Sequence, residues 1–184
     1  MTNTFLPSDY EVPSTSNYMK FVAGENRLRI LSSPVIGWEY WISDAEGNRK
    51  PLRKKMDNPF STIEIENPEE IKHFWAMVVY NYQEKRIQIL EITQKSIQKT
   101  LKALAKDEDW GSPVQTYDIV VTKTGEKMET RYEVLPKPAK AMDVRILKEY
   151  KSISINLEAL FTGEDPFETK GKELENVDPN EVKV

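Results

Sequence analysis

Eight of the 18 aromatic residues (Trp38, Tyr40, Trp41, Phe60, Phe74, Trp75, Tyr80 and Tyr82) fall between positions 38 and 82, a quarter of the chain. Inside that window Arg49, Lys50, Arg53, Lys54 and Lys55 place five cations in seven residues with no acid among them. Rings beside cations suit single-stranded nucleic acid. Each unpaired base offers a π-face worth ~1–3 kcal/mol on stacking, while Lys and Arg neutralise the adjoining phosphates. The same rings can also fill a core, and side-chain alternation separates the two uses. In a strand over 35–43, Trp38 and Tyr40 share one face and Trp41 points to the other, so one of the two sets belongs to the core. Stacking is assigned to Trp38, Tyr40, Trp75, Tyr80 and Tyr82. Phosphate contact is assigned to Arg27, Arg29, Arg53, Lys54, Lys55 and Arg86. Lys95, Lys99 and Lys102 are secondary phosphate candidates, because a lysine stripe on a helix usually serves solubility.

Catalytic constellations are thin by comparison. The chain has neither a GxGxxG turn nor a GxxxxGK[ST] phosphate loop, so nucleotide hydrolysis has no support. Glu70-Ile71-Lys72 echoes half of a metal-dependent nuclease site, without a partner Asp on a preceding strand. Asp107-Glu108-Asp109 offers three carboxylates at a helix end, where acids mostly face water. His73 is the one histidine and reads as a hydrogen-bonded imidazole rather than a base. The absence of Cys excludes disulfides, thiolate zinc sites and a cysteine nucleophile. No catalytic residue, cofactor or metal is expected.

These residues must be held by short strands. Period-2 alternation puts Leu28 and Ile30 on one face and Arg27 and Arg29 on the other. Further strands are expected over 35–43, 71–82, 86–92, 117–122 and 129–135, with 49–55 left as a basic loop. Thr93 is expected to cap a helix over 94–106 whose Ile97, Leu101, Leu104 and Ala105 form an apolar stripe. A short helix over 143–151 and a weaker one over 157–161 follow. The fold class predicted is mainly β: a five- to six-stranded barrel of the oligonucleotide-binding (OB) type with one inserted helix, a short C-terminal helix and a flexible acidic tail. The expected division is an extended arm (1–17), the binding domain (18–138), a helical segment (139–161) and the tail (162–184).

The net charge of −4 is uneven, since residues 158–184 hold eight acids against three lysines. Such a segment reads as a solvated tail on a near-neutral body. No apolar run approaches the ~20 residues that span a bilayer, and the N-terminus lacks a basic, apolar leader, so neither membrane nor secretion is expected.

The segments NYMKFVAGENRLRILSSPVIGWEYW (17–41), KHFWAMVVYNY (72–82) and IQILEITQKSIQKTLKALAKDEDWGSPVQTYDIVVTKTG (87–125) resemble bacteriophage single-stranded DNA-binding proteins of the T-even and T-odd type. ETRYEVLPKP (129–138) and ALFTGEDPF (159–167) add to the likeness. The resemblance implies an OB fold without enzymatic activity that coats single strands during phage replication, recombination and repair, in the cytoplasm of the bacterial host. It also implies an acidic C-terminus that contacts replication proteins (polymerase, helicase or primase) and competes with DNA. Here that contact is placed on Phe161, Asp165 and Phe167. A Cys-free chain departs from the T-even proteins' structural zinc, and an arm without bases departs from their basic arm, which leaves homo-oligomerisation open. The alternative is a non-catalytic protein-interaction module of a replication complex.

Overall fold

The computed structural model describes residues 16–61, 65–110 and 114–167. Eight strands are joined in one sheet: β1 (Tyr18–Met19), β2 (Gly24–Ile30), β3 (Val35–Ser43), β4 (Arg49–Lys55), β5 (Lys72–Asn81), β6 (Arg86–Ile92), β7 (Asp118–Thr124) and β8 (Arg131–Pro136). Two α-helices, α1 (Lys95–Lys106) and α2 (Val144–Ser152), and four 3-10 turns (Pro68–Glu70, Val114–Thr116, Lys127–Glu129 and Leu157–Phe161) complete the described elements. Among the described residues no helix is long and apolar enough to cross a membrane.

The sheet is mixed and open. Its order is β1-β6-β5-β2-β7-β8, with β1 parallel to β6 and the other neighbours antiparallel. Among the described residues no ladder joins β8 back to β6 or β1, so the pairing does not close a barrel. β5 is the hub. One edge pairs with β6, while the other pairs first with β3 (Ala76 opposite Val35) and then with β2 (Val79 opposite Ile30). β3 and β4 therefore project as a hairpin beyond the end of β2.

β5 and β6 are rich in Ile, Val and aromatics and are buried on both faces, so their burial runs on instead of alternating. The inner face carries Met77, Val79, Leu90 and Ile92, packed with Leu28, Ile119 and the α1 residues Ile97 and Leu101. The outer face carries Phe74, Ala76, Val78, Ile87 and Ile89. Chain 142–167 covers it: Ile146, Ile153, Leu160, Phe161 and Phe167 pack there. The expected free tail is corrected accordingly. Asn156 N–H donates to Pro166 O at 2.8 Å, and Leu160 is 4% exposed, so 162–167 are part of the folded body. Residues 168–184 of the expected tail, and 1–15 of the expected arm, lie outside the described residues.

Two local expectations change. Thr93 does not cap α1; Gln94 holds the cap position without a side-chain bond, and the helix starts at Lys95. The basic segment 49–55 is strand β4, not a loop. It is an edge strand bonded only to β3, which is where a Pro such as Pro51 is tolerated. Gly37 of β3 is required by close approach, since a Cβ there would lie 2.3 Å from Lys54 O and 2.7 Å from Phe161 Cε1.

Candidate nucleic-acid interface

Alternation along the hairpin sorts its side chains by face. Cross-strand pairing puts Lys54, Trp38 and His73 in one row on the inner face, with Ile36 beside Trp75 and Tyr40 beside Leu52 in the flanking rows. These rows continue the inner face past the end of the core, where the sheet opens. Trp38 and Trp75 are half-buried, and Ile36 and Leu52 are each 38% exposed, an apolar and aromatic strip next to water.

The strip is pre-set by hydrogen bonds. Trp75 Nε1 donates to His73 Nε2 at 3.1 Å, and His73 Nδ1 lies 3.0 Å from Gly37 O, so the ring carries its proton on Nδ1. The His73 ring meets Trp38 at 5.2 Å and 55°. With both nitrogens engaged, His73 orients its neighbours and is not a free base. Trp75 also lines a cleft of about 310 Å³ between α1 and the 32–34 turn, floored by Met77 and Leu101 and rimmed by Lys102 and Lys106. Lys54 sits 5.4 Å over Phe60 and thereby stays beside Trp38 without an acidic partner among its described contacts.

The predicted site residues do not all gather here. Trp38, Trp75 and Lys54 do, with Lys102 on the cleft rim and Lys95 and Lys99 exposed on α1. Tyr40 shares the face, yet Phe60 covers it edge-on at 6.3 Å and it is 7% exposed, so it is a support and not a stacking ring. Arg53 and Lys55 point to the other face because β4 is a strand. Arg53 Nη2 binds both Glu91 oxygens at 2.8 and 2.9 Å, and its Nε reaches Glu39 at 3.0 Å. Burial pushes the Glu91 carboxyl up from its ordinary range, with Arg53 pulling it down. Lys55 Nζ lies 2.6 Å from Glu158 Oε2 and 5.6 Å over the Phe161 ring.

Arg29 is corrected most sharply. It is 1% exposed, donates to Lys140 O at 2.6 Å and pairs with the fully buried Asp118 at 3.3 Å, so it touches no phosphate. Arg27 also binds Asp118, at 2.6 Å, and lies 5.2 Å over the Tyr82 ring. Tyr82 donates to Asp118 at 2.9 Å and meets Tyr80 edge-on at 5.1 Å; both tyrosines are on the outer face of β5. Arg86 starts β6 and donates to Asn17 at 3.2 Å. Phe161 and Phe167 are half-buried against the outer core, and the exposed Asp165 accepts from Phe167 N–H at 2.9 Å.

Sequence reasoning gave no site role to Phe60, Lys106 or the pair Arg49–Trp41, whose guanidinium lies 5.6 Å over the indole. The signal for the last was available, since once 49–55 is read as a strand Arg49 opposite Ser43 and Trp41 opposite Pro51 are diagonal neighbours on one face. Among the described residues no group of three or more His, Asp or Glu could hold a metal. Glu70 ends a 3-10 turn at Pro68–Glu70 and Lys72 opens β5, while Asp107 accepts from Asp109 N–H at 2.8 Å.

Burial, and next the bond to Asp118, push the Tyr82 hydroxyl up to about 12. The folded value lies above the unfolded one, so this contribution is whole below about pH 10 and is lost as pH rises through about 12. Thermal melts should show stability falling across that window, and less steeply in Tyr82→Phe. Equal slopes for the two proteins would contradict the buried bond.

No protein-family profile matches the chain, and neither a curated protein nor a solved structure does.

Proposed function

We propose that the protein binds single-stranded DNA, largely without sequence preference and without catalysis, through the inner-face strip of the β3–β4 hairpin and the adjoining rim of α1. The observation that carries this reading is the transverse row Lys54–Trp38–His73 beside Trp75: half-buried rings held in place, next to a cation without an acidic partner among the described residues. Bases stack on such rings whatever their identity, and lysines follow the backbone as point charges.

An OB-type architecture is part of the proposal. β2, β5, β6, β7 and β8, with α1 between the third and fourth of them, lie in the order β6-β5-β2-β7-β8. The OB fold is a partly open five-stranded barrel that binds through its second and third strands and the connections after its first and fourth. In this count the β3–β4 hairpin occupies the first of those connections. A phage replication role, in the host cytoplasm and with polymerase, helicase or primase as partners, rests on the sequence resemblance, and the contact proposed for those partners remains Phe161, Asp165 and Phe167. The protein-interaction alternative draws on the exposed Ile36 and Leu52, which also suit a protein surface.

A single strand should bind much more tightly than duplex of the same length at the same salt, because paired bases cannot reach the rings. Equal retention of both forms in filter binding would favour the alternative.

The strand geometry fixes which basic residue of 53–55 counts. Lys54→Ala should flatten the log K against log [salt] line by about 0.7, the single-strand slope per phosphate. Lys55→Ala should leave it unchanged. A Lys55 effect equal to that of Lys54 would contradict the face assignment.

A further inference from the structure

On the outer face of the sheet, a second cleft of about 770 Å³ opens between the β5–β6 turn and the start of α2. It lies on the side of β5 opposite the strip just described. Tyr80 and Tyr82 form one wall, Lys85 and Lys140 the mouth, and Arg145 with Glu149 the α2 side. The tyrosines stand edge to face at 5.1 Å. Tyr82 is held by its bond to Asp118 and by Arg27 over its ring, whereas the Tyr80 hydroxyl has no bond of that kind described.

Charge at this place is out of balance. Arg27, Arg29 and Lys140 all converge on the single carboxylate of Asp118, at 2.6, 3.3 and 3.6 Å. One anion meets three cations, and Arg29 Nη1 is buried without a hydrogen-bond partner in the described structure. Lys85 and Arg145 add two more cations, against Asp143 and Glu149. Asp143 is already engaged by Arg145 at 3.2 Å and by capping α2. The lining of the cleft itself thus carries three cations, Lys85, Lys140 and Arg145, against two anions, and the Asp118 cluster that it joins through Lys140 and Tyr82 is cationic too. The turn also holds Lys85 at φ +52°, a left-handed conformation that a lysine adopts at some cost and a glycine would take freely.

We propose that this cleft is a second seat for single-stranded nucleic acid, taking one phosphodiester between Lys85, Lys140 and Arg145 and the neighbouring base on Tyr80. The proposal rests on the single-strand reading above and assigns it a second, separate surface. A phosphate supplies the further anion that Lys85, Lys140 and Arg145 can hold in the cleft, and the tyrosine wall supplies the π-face that a bare anion site would not need. The occupant is either a further part of the strand held on the inner face or a second strand.

The test is photocrosslinking of the full chain to oligonucleotides carrying 5-iododeoxyuridine, with adducts located by peptide mass spectrometry. Adducts, placed on single residues by fragmentation, are expected at two places, one at Trp38 or Trp75 and one at Tyr80. The double variant Lys85→Gly, Arg145→Ala changes two exposed side chains, and glycine suits the turn, so its circular dichroism should match the parent. It should lose the Tyr80 adduct several-fold and keep the tryptophan adduct. With long oligonucleotides one strand per protein supports a continuous path, and two short ones per protein support independent seats; both require the Tyr80 adduct. Adducts confined to Trp38 and Trp75 overturn the second seat and leave the proposed function standing. An adduct at Tyr80 that survives in the double variant overturns the phosphate assignment, and no adduct at either place overturns both readings.

Discussion

Asp118→Ala should lower the unfolding free energy by ~3–5 kcal/mol, the cost of leaving one partner of a buried ion pair behind. Asp118 is fully buried and Arg29 is 1% exposed, so the guanidinium left by this substitution has no route to water. Arg27 and Lys140 differ, with side chains 42% and 56% exposed, and would rehydrate. For a chain of this size each kcal/mol moves the melting temperature by roughly 2–4 °C, so a drop of about 6–20 °C is expected. Adding Arg29→Leu should recover much of the loss, because the stranded charge is then gone. A melt within ~2 °C of the parent for the single variant would show that water reaches Arg29 after all.

Removing the Trp38 ring carries the largest expected effect on binding. Trp38→Ala should weaken affinity for oligo(dT) by about 5- to 150-fold, corresponding to the ~1–3 kcal/mol of one stacked base. Trp38→Phe should keep most of it, since a π-face remains and the buried Trp38 Nε1 has no hydrogen-bond partner in the described structure to be missed. The pair of variants separates stacking from folding, because both change the packing against His73 and only one removes the ring. Fluorescence anisotropy with labelled oligo(dT) reads the difference. Parent-like binding by Trp38→Ala would place the interface elsewhere.

How much of this was legible in the sequence depends on how local each signal is. The bounds of β3 and β6 and of the turn at Leu157–Phe161 coincide with those expected, because period-2 runs of β-branched and aromatic residues and a short apolar cluster are written locally. β4 was missed because five cations and a proline mask a strand whose only signal is its position opposite β3. That one miss had consequences for the site. Read as a loop, Arg53, Lys54 and Lys55 form one basic patch; read as a strand, they divide between two faces, and the acids that neutralise Arg53 come from positions 39 and 91. Arg29 was misassigned for the same kind of reason, since its partner Asp118 lies far along the chain and no local pattern announces it. The cover over the outer face was hidden by composition. Residues 162–167, with Glu164 and Asp165, are acidic enough to read as the start of the tail, but Phe167 packs against the outer core beside Leu160 and Phe161.

The central claim is that bases of a single strand stack on Trp38 and Trp75, and tryptophan fluorescence during titration with poly(dT) tests it most directly. The emission should be strongly quenched and recover on adding salt, as phosphate contacts are screened and the strand leaves. In the Trp38→Phe, Trp75→Phe variant the quenching should largely vanish, while anisotropy still reports binding. Unchanged emission in the parent at concentrations where anisotropy shows the strand bound, or full quenching retained by the double variant, would contradict the account.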